Sequence, residues 1–417
     1  MPSTKSVRNA SADAARPALL QRLARKAEWD AVVVGGGATG LGIAVDAAQR
    51  GLRVALLEAR DFGAGTSSRS TKLVHGGVRY LAQGNVKLVR EALAERALIL
   101  RNAPHIAHRL EFVVPCYSEV DRAVLRVGLG MYDLLAGSRS IGPTRWLTRD
   151  ETLAKLPGIK AAGLVGGVSY WDGQFDDARM CRALARTAAS LGAVPVTGLR
   201  CEQVLLDGGR VAGIVAVDAA NGERFELRAP CVFNATGVWA DAVRQLADPA
   251  AKPVIRASQG SHIVVDRRFL PSDAALMVPK TRDGRVLFAI PYQGQLLIGT
   301  TDVPREDLPA DPRPSDAEID FMLETADGYL QQPIARADIL RAFAGLRPLY
   351  SPQHMSDSAS ISREHAVLAE CGGLLTIVGG KWTTYRKMAV DALAAAARAG
   401  VLPAGQSQTE SLALLEA

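Results

Sequence analysis

Several features that would mark a protein's class are scarce in this sequence of 417 residues. Its five cysteines are an odd number without CxxC spacing, which argues against a disulfide framework and against a metal site. Aromatic residues make up only 5% of the chain and do not alternate with basic ones, so no nucleic-acid partner is expected. No apolar run is long enough to span a bilayer, and the N-terminus lacks the apolar core of a secretory signal. We therefore expect a cytoplasmic protein, or one attached to a membrane surface from that side.

The chain carries a net charge of +6, which favours anionic ligands or anionic lipid surfaces. Residues 1–28 form a basic, alanine-rich N-terminal arm, in which Ser3–Pro17 is predicted to be flexible. After it, Leu19, Leu20 and Leu23 lie among basic residues and predict a short amphipathic helix. This helix either leads along the surface into the first strand or contacts a membrane.

The first strong motif is a glycine-rich turn between a strand and a helix. Asp30–Val34 reads as a compact apolar strand, and Gly35, Gly37 and Gly40 follow it as G-x-G-x-x-G; Glu58 ends the next predicted strand. In such a unit the first glycine allows the tight turn, the second lets a pyrophosphate approach the helix N-terminus, and the third permits close packing of helix on sheet. Glu58 would accept hydrogen bonds from ribose hydroxyls. The pattern predicts a dinucleotide site.

The chain around this unit favours FAD over NAD. An NAD enzyme would continue with further β-α units, whereas residues 200–236 contain short strands separated by turn signals and predict a β-meander. The turn Ala235-Thr236-Gly237 follows the next strand, and in many flavoproteins such a turn lies against the dinucleotide. Only one fingerprint is present, so electrons would come from a small substrate and not from a second bound nicotinamide.

The second half of the chain predicts another domain. Ser261–Val265, Val286–Pro291 and Leu296–Gly299 are strand-like and separated by turns, as in an antiparallel sheet. Helices are predicted over 85–102 and 315–330, with Asn and Ser as their N-caps. The predicted fold class is α/β: a Rossmann-type FAD-binding domain with a β-meander, plus an α+β substrate domain with a largely antiparallel sheet.

Five segments resemble the FAD-dependent glycerol-3-phosphate dehydrogenases, within the D-amino-acid-oxidase-like flavoprotein superfamily. The similarity extends over roughly residues 20–395, and its pieces follow in the family's order. The segments are Thr66–Leu81 (TSSRSTKLVHGGVRYL), Gly260–Val265 (GSHIVV), Ile298–Asp302 (IGTTD), Ala344–Leu349 (AGLRPL) and Gly379–Lys387 (GGKWTTYRK).

The resemblance implies oxidation of sn-glycerol 3-phosphate to dihydroxyacetone phosphate, with electrons passing to a quinone. It also implies a peripheral position on the inner face of the cytoplasmic membrane, with a possible homodimer or partner subunit. The expected domain division is a discontinuous FAD-binding domain (29–115, 165–255 and 345–395), a substrate domain (116–164 and 256–344) and a short tail (396–417).

The resemblance also carries over a substrate pocket. A phosphate dianion needs several fixed cations, and arginine suits it because its fork can bind two oxygens at once. Any one arginine taken alone could instead be a surface charge. The residues carried over are Arg79, Tyr80, Thr301, Arg347, Arg363 and Lys381.

Oxidation of a secondary alcohol also requires a base for the hydroxyl proton. His262 and His75 are the candidates because imidazole titrates near neutral pH. We favour His262, which lies on a predicted strand of the substrate domain, although either histidine could serve only as a local hydrogen-bonding group or a flavin contact. Lys381 could stabilise negative charge on the reduced flavin or on the developing alkoxide.

Further cofactor contacts are predicted beyond the fingerprint. Thr66, Ser67, Ser68 and Lys72 follow Glu58 closely and would supply donors along the pyrophosphate and ribityl chain. The alternative is the ordinary polarity of a loop. The set is completed by His75, Gly76, Ala235, Thr236, Gly237, Gly380 and Thr383.

The sequence departs from the family pattern at its C-terminal end. Many members carry a further C-terminal domain, which we expect to be missing here, and no cysteine follows Cys371 to hold an iron–sulfur cluster. Two other functions stay open: an amine or amino-acid oxidase of the same superfamily, and a non-catalytic FAD-binding subunit. The number of basic residues in the matched segments argues against the first, and the presence of Arg79, His262, Arg347 and Lys381 argues against the second.

Overall fold

The computed structural model describes residues 10–25, 28–77, 85–351 and 364–417. The α-helices are α1 (Ala10–Ala24), α2 (Ala38–Gln49), α3 (Val86–Asn102), α4 (Glu119–Ala136), α5 (Arg149–Lys155), α6 (Asp177–Ser190), α7 (Ala240–Ala247), α8 (Asp316–Asp327) and α9 (Tyr385–Arg398). The strands are β1 (Ala31–Val34), β2 (Val54–Glu58), β3 (Leu73–Val74), β4 (Ala107–Cys116), β5 (Arg145–Leu147), β6 (Gly166–Phe175), β7 (Val194–Thr197), β8 (Leu199–Asp207), β9 (Arg210–Asp218), β10 (Arg224–Arg228), β11 (Cys231–Asn234), β12 (Ile255–Asp266), β13 (Ala275–Val278), β14 (Leu287–Tyr292), β15 (Gln295–Gly299), β16 (Val303–Arg305), β17 (Ile339–Tyr350), β18 (His365–Glu370) and β19 (Leu374–Gly379).

The first sheet has six strands in the order β18-β19-β11-β1-β2-β7 and is parallel except for β18. All four residues of β1 are buried, because both faces of a parallel sheet are covered. Val33 packs in a cluster with α2, α6 and α9, whereas Val32 and Val34 pack against the three-stranded meander β8-β9-β10. The predicted Rossmann-type unit and its β-meander are confirmed.

The second sheet has ten strands and is antiparallel apart from the pairing of β13 with β4. Side chains alternate along β12: Ile263 and Val265 pack towards α8, and Val264 packs towards α3 and α4. The largely antiparallel second sheet was predicted from its turn-separated strands and is confirmed. Strand β17 is the long antiparallel partner of β12. It brings the Ala-Gly-Leu-Arg-Pro-Leu segment alongside β12.

Several strands differ from the expected domain division, β4 and β6 most extensively. β4 and β6 hydrogen-bond to each other along their whole length and belong to the second sheet, whereas the sequence division placed nearly all of both in the FAD-binding domain. The pairing partner of an apolar strand is set by long-range contacts, and nothing within 107–116 identifies it. The second sheet therefore includes residues from both sides of the expected domain boundaries at 115 and 165.

The N-terminal arm also differs from its prediction. Helix α1 begins at Ala10, so the end of the segment expected to be flexible is helical. Arg16 is anchored by an ion pair of 2.9 Å to Asp218 and a hydrogen bond of 3.0 Å to the Thr197 carbonyl. Leu23 is buried against the meander side of the first sheet, so the apolar side of this helix packs on protein. Leu23 is thus not available for the membrane contact that was one of the two alternatives.

The predicted helix caps are present. The Asn85 side chain accepts a hydrogen bond from the Leu88 amide at 3.1 Å, and Ser315 forms a capping box with Glu318 at the start of α8. None of the helices in the described ranges is both long and apolar enough to cross a bilayer. Within the same ranges, no cluster of three or more acidic, histidine or cysteine side chains could hold a metal ion.

Candidate active site

A cavity of about 1030 Å³ lies at the carboxyl ends of β1, β2 and β11. Ligand cavities of proteins usually span roughly 300–1,000 Å³, so this one is large enough for a dinucleotide. We call it the larger cavity. Its wall includes Gly35, Gly37, Glu58 and Ser67, together with the turn Ala235-Thr236-Gly237, all of which were predicted to contact the cofactor.

Close packing requires two of the three fingerprint glycines, Gly35 and Gly40. Gly35 has φ +105°, and a Cβ there would lie 2.5 Å from the Ala235 carbonyl oxygen. A Cβ on Gly40 would lie 1.9 Å from the Gly35 carbonyl oxygen, so Gly40 serves helix–sheet packing and is not part of the cavity wall. Gly37 lies at the N-terminus of α2, where a Cβ would be 3.1 Å from the Ser67 hydroxyl oxygen. The backbone can therefore approach a pyrophosphate where the helix dipole favours it.

Glu58 is held in one orientation at the cavity wall. Its two carboxylate oxygens accept hydrogen bonds from the amides of Gly36 at 2.7 Å and Arg60 at 2.8 Å. Burial raises the pKa of Glu58, and these two hydrogen bonds oppose that rise. A carboxylate has about four acceptor positions, so capacity is left for ribose hydroxyls. The geometry fits the predicted role.

The polar loop after Glu58 divides into two parts. Thr66 and Ser67 line the larger cavity, and the Ser67 hydroxyl accepts a hydrogen bond from the Ala38 amide at 2.9 Å. Lys72 is instead buried in an ion pair with Asp177, at 2.6 Å, and donates to the Ser68 carbonyl at 2.7 Å. Ser68 and Lys72 line neither cavity described here, so the structure does not bring them to the cofactor as predicted.

A smaller cavity of about 300 Å³ adjoins the larger one. The two share part of their walls, so a ligand that fills the larger cavity would have one end at the smaller one. The shared wall residues are Thr66, Pro348, Gly380, Lys381 and Trp382. Trp382 was not predicted; its indole N–H donates to the Ser67 carbonyl at 2.7 Å and holds the ring between the cavities.

Arg347 projects from β17 into the smaller cavity. Its guanidinium donates to the Asp302 carboxylate at 3.2 Å, and to the Thr300 hydroxyl and the Thr301 carbonyl at 3.0 Å each. A Cβ on Gly260 would lie 2.2 Å from Arg347 Nη2, so only glycine leaves room for the guanidinium. This requirement explains why a glycine precedes Ser261-His262 in the matched segment.

His262 lies in the wall of the same cavity and is buried. Its Nε2 is 2.9 Å from the Thr71 hydroxyl, and its ring stacks on Phe343 with centroids 4.9 Å apart. Nδ1 has no hydrogen-bond partner among the described residues. Burial, together with the positive charges of Arg347 and Lys72, lowers the pKa of His262 well below its usual value. The imidazole is therefore neutral at neutral pH.

The other predicted residues of this region are held by the protein itself. Thr301 lines the smaller cavity and donates to the buried Glu318 at 2.6 Å. The His75 amide donates to the Thr383 hydroxyl at 3.1 Å, and both residues line the smaller cavity. Gly76 lies behind this wall, where its amide donates to the Tyr132 hydroxyl at 2.9 Å. Thr383 and Gly76, both predicted to contact the cofactor, are thus absent from the wall of the larger cavity.

Three predicted pocket residues lie outside the described residues: Arg79, Tyr80 and Arg363. Two further arginines line the smaller cavity and were not predicted, Arg69 and Arg285. Arg69 lies within the matched segment Thr66–Leu81, so the resemblance could have identified it. Arg285 follows an Asp-Gly turn that gives no indication of a binding site.

The fold and its paired cavities are typical of the two-domain flavoproteins, and the model of the FAD dependent oxidoreductase family matches residues 30–386. The mitochondrial glycerol-3-phosphate dehydrogenase of Homo sapiens is 42% identical over 414 residues, covering 96% of this chain and 57% of that protein. The probable glycerol-3-phosphate dehydrogenase of Encephalitozoon cuniculi is 38% identical, covering 96% and 67%. The solved glycerol-3-phosphate dehydrogenase of Bacillus halodurans, complexed with FAD, superposes with a TM-score of 0.78 at 31% identity, covering 96% and 70%.

The chain belongs to the FAD-dependent glycerol-3-phosphate dehydrogenase family, as its motifs predicted. Its cofactor is FAD, and the glycine cradle, the helix N-terminus and Glu58 fit the adenosine and pyrophosphate of that cofactor. The chain spans 57% of the length of the mammalian relatives that it matches.

Proposed function

We propose that the chain oxidises sn-glycerol 3-phosphate to dihydroxyacetone phosphate. The observation that carries the proposal is the wall that the two cavities share: a cavity with Arg347 and His262 directly adjoins the cavity for FAD. An anion-binding group and a neutral imidazole are what a phosphorylated secondary alcohol requires. Bound FAD would supply the hydride acceptor.

Arg347 binds the phosphate in this proposal. Its guanidinium is fixed by Asp302, Thr300 and Thr301, so little side-chain entropy is lost when an anion binds. Lys381 lines both cavities and adds positive charge where negative charge develops. Arg79, Tyr80 and Arg363 join this set by resemblance alone.

His262 accepts the hydroxyl proton. A base must be neutral before the reaction, and burial keeps this imidazole unprotonated. Its Nε2 is oriented by Thr71 and its ring plane by Phe343. A phosphate dianion bound at Arg347 would offset that positive charge, which raises the pKa of His262 when the substrate is present and makes it a stronger base.

The electron acceptor and the location extend the proposal. We assign a quinone as acceptor and peripheral attachment to the inner face of the cytoplasmic membrane. The net charge of +6 supports attraction to anionic lipids. A homodimer or a partner subunit is compatible with this assignment.

The test is an anaerobic titration of the FAD-loaded protein. With sn-glycerol 3-phosphate we expect rapid loss of oxidised-flavin absorbance, and none with glycerol, which lacks the phosphate. A soluble quinone should then restore the absorbance faster than oxygen does. A yellow protein that sn-glycerol 3-phosphate does not bleach would contradict the proposal. Bleaching by glycine would instead favour an amine or amino-acid oxidase.

A further inference from the structure

The smaller cavity contains a second guanidinium that the resemblance did not assign. Arg285 lies just before β14 and lines this cavity together with Arg347. We propose that Arg285 is a second phosphate-binding residue and selects dianionic phosphates over uncharged alcohols; the inference rests on the proposed function and deepens it. Its side chain is 24% exposed, so it can meet a ligand while remaining fixed by protein.

The loop that carries Arg285 is braced on itself. The Thr281 amide donates to the Arg285 carbonyl at 2.8 Å, and the Arg285 amide donates to the Thr281 hydroxyl at 3.1 Å. Gly284 completes the turn with φ +77°. A turn closed in this way fixes the starting point of the Arg285 side chain, so the guanidinium is presented without a further conformational change.

Arg285 and Arg347 converge on one buried carboxylate. Arg285 Nη1 donates to the Asp302 carbonyl oxygen at 2.8 Å and lies 3.8 Å from Oδ2 of the same residue. Arg347 Nη1 donates to Oδ1 at 3.2 Å. Both guanidinium groups thus approach one carboxylate and line one cavity, and the proposal places a single anion within reach of both.

Basic side chains gather at this end of the smaller cavity. Arg285 and Arg347 both approach Asp302, and Lys381 lies in the wall of the same cavity. Asp283 also contacts Arg285, at 3.0 Å, but its side chain is 31% exposed and is screened by solvent. A phosphate dianion would be attracted by these basic groups, and charge-assisted bidentate contacts are strong in a partly buried cavity.

A purely structural role for Arg285 would be to hold the Asp302 backbone. The two roles differ in what they affect: a brace alters folding and FAD content, whereas a phosphate contact alters the KM of a phosphorylated substrate and the inhibition by inorganic phosphate. Arg282 offers a matched control, because it lies in the same loop but pairs with Glu324 at 2.6 Å with a side chain that is 67% exposed.

The experiment compares R285A, R285K and R282A as FAD-loaded proteins. We expect R285A to raise the KM for sn-glycerol 3-phosphate by roughly 10- to 100-fold, the loss of one charge-assisted contact, with a similar rise in the Ki of inorganic phosphate. R285K, which keeps the charge but not the fork, should show a smaller rise. Added guanidinium ion should restore part of the activity of R285A. R282A should match the wild type.

The proposal is overturned if R285A binds FAD normally and keeps the wild-type KM and phosphate Ki. If R285A loses FAD, R285K decides the matter, and an unchanged KM in that variant overturns the proposal. Failure of the proposed function is a separate result, in which sn-glycerol 3-phosphate does not bleach the wild-type flavin. In that case the change of flavin absorbance with inorganic phosphate still tests Arg285, and equal affinities of wild type and R285A overturn it.

Discussion

Replacement of Gly260 by alanine should separate substrate binding from stability. The new Cβ would lie 2.2 Å from Arg347 Nη2 and 2.8 Å from the Thr300 hydroxyl oxygen. Ordinary contacts begin near 3.5 Å, so the guanidinium must retreat by roughly 1 Å and lose its 3.0 Å hydrogen bonds. A displacement of about 1 Å at a binding group can cost roughly 100-fold in rate. The melting temperature should change little, because the tip of a long side chain can move.

The assay is steady-state oxidation of sn-glycerol 3-phosphate, with FAD content and thermal unfolding measured on the same preparation. We expect kcat/KM to fall by about 100-fold, mostly through KM, with the flavin still bound. Gly130→Ala is the control, since a Cβ there meets nothing within 4 Å and the residue lies inside α4. A G260A protein with the wild-type KM would refute the placement of Arg347 at the phosphate.

Three further predictions concern single groups. Glu58→Ala should weaken FAD binding by about 1–3 kcal/mol, seen as flavin loss on dilution, because the ribose loses its acceptor; full retention would contradict this role. Asp177→Asn should lower the free energy of unfolding by about 3–5 kcal/mol in denaturant titrations, because it leaves Lys72 buried and unpaired; Asp150→Asn, on an exposed pair, should not. His262→Gln should flatten the loss of stability on acidification. The folded-state pKa of His262 is depressed, so below pH 6.5 only the unfolded state takes up its proton, and stability falls by up to about 1.4 kcal/mol per pH unit.

The cofactor site could be predicted because its signal is local. Gly35, Gly37, Gly40 and Glu58 lie within 24 residues of one another, and their roles follow from one strand–turn–helix unit. The two sheets were predicted for the same reason, since their turns and periodicities are contained in short windows. Arg347 was named through resemblance, and His262 was named because the reaction needs a base and this histidine lies on a predicted strand of the substrate domain.

Long-range pairing accounts for the places where the structure departs from the sequence-based predictions. Lys72 was expected at the cofactor because it follows a polar loop, but its partner Asp177 lies 105 positions away. The sheet of β4 depends on β6 and β13, and neither is near in sequence. Arg285 was missed because the Asp-Gly turn before it carries no signal of a binding site. Its guanidinium is positioned by a hydrogen bond to the Asp302 carbonyl, which is distant in sequence.

Each of the two sheets is built from strands that lie far apart in the sequence, and this has a consequence for biosynthesis. The wall that joins the two cavities comes from Thr66 early in the chain and from Gly380, Lys381 and Trp382 late in it. β11 also gains its neighbour β19 only when residues 374–379 are available. A ribosome that has made the glycine fingerprint has therefore made a site that cannot yet close. FAD should therefore be captured only after residues 374–382 have left the exit tunnel, and not by the first strand–turn–helix unit alone.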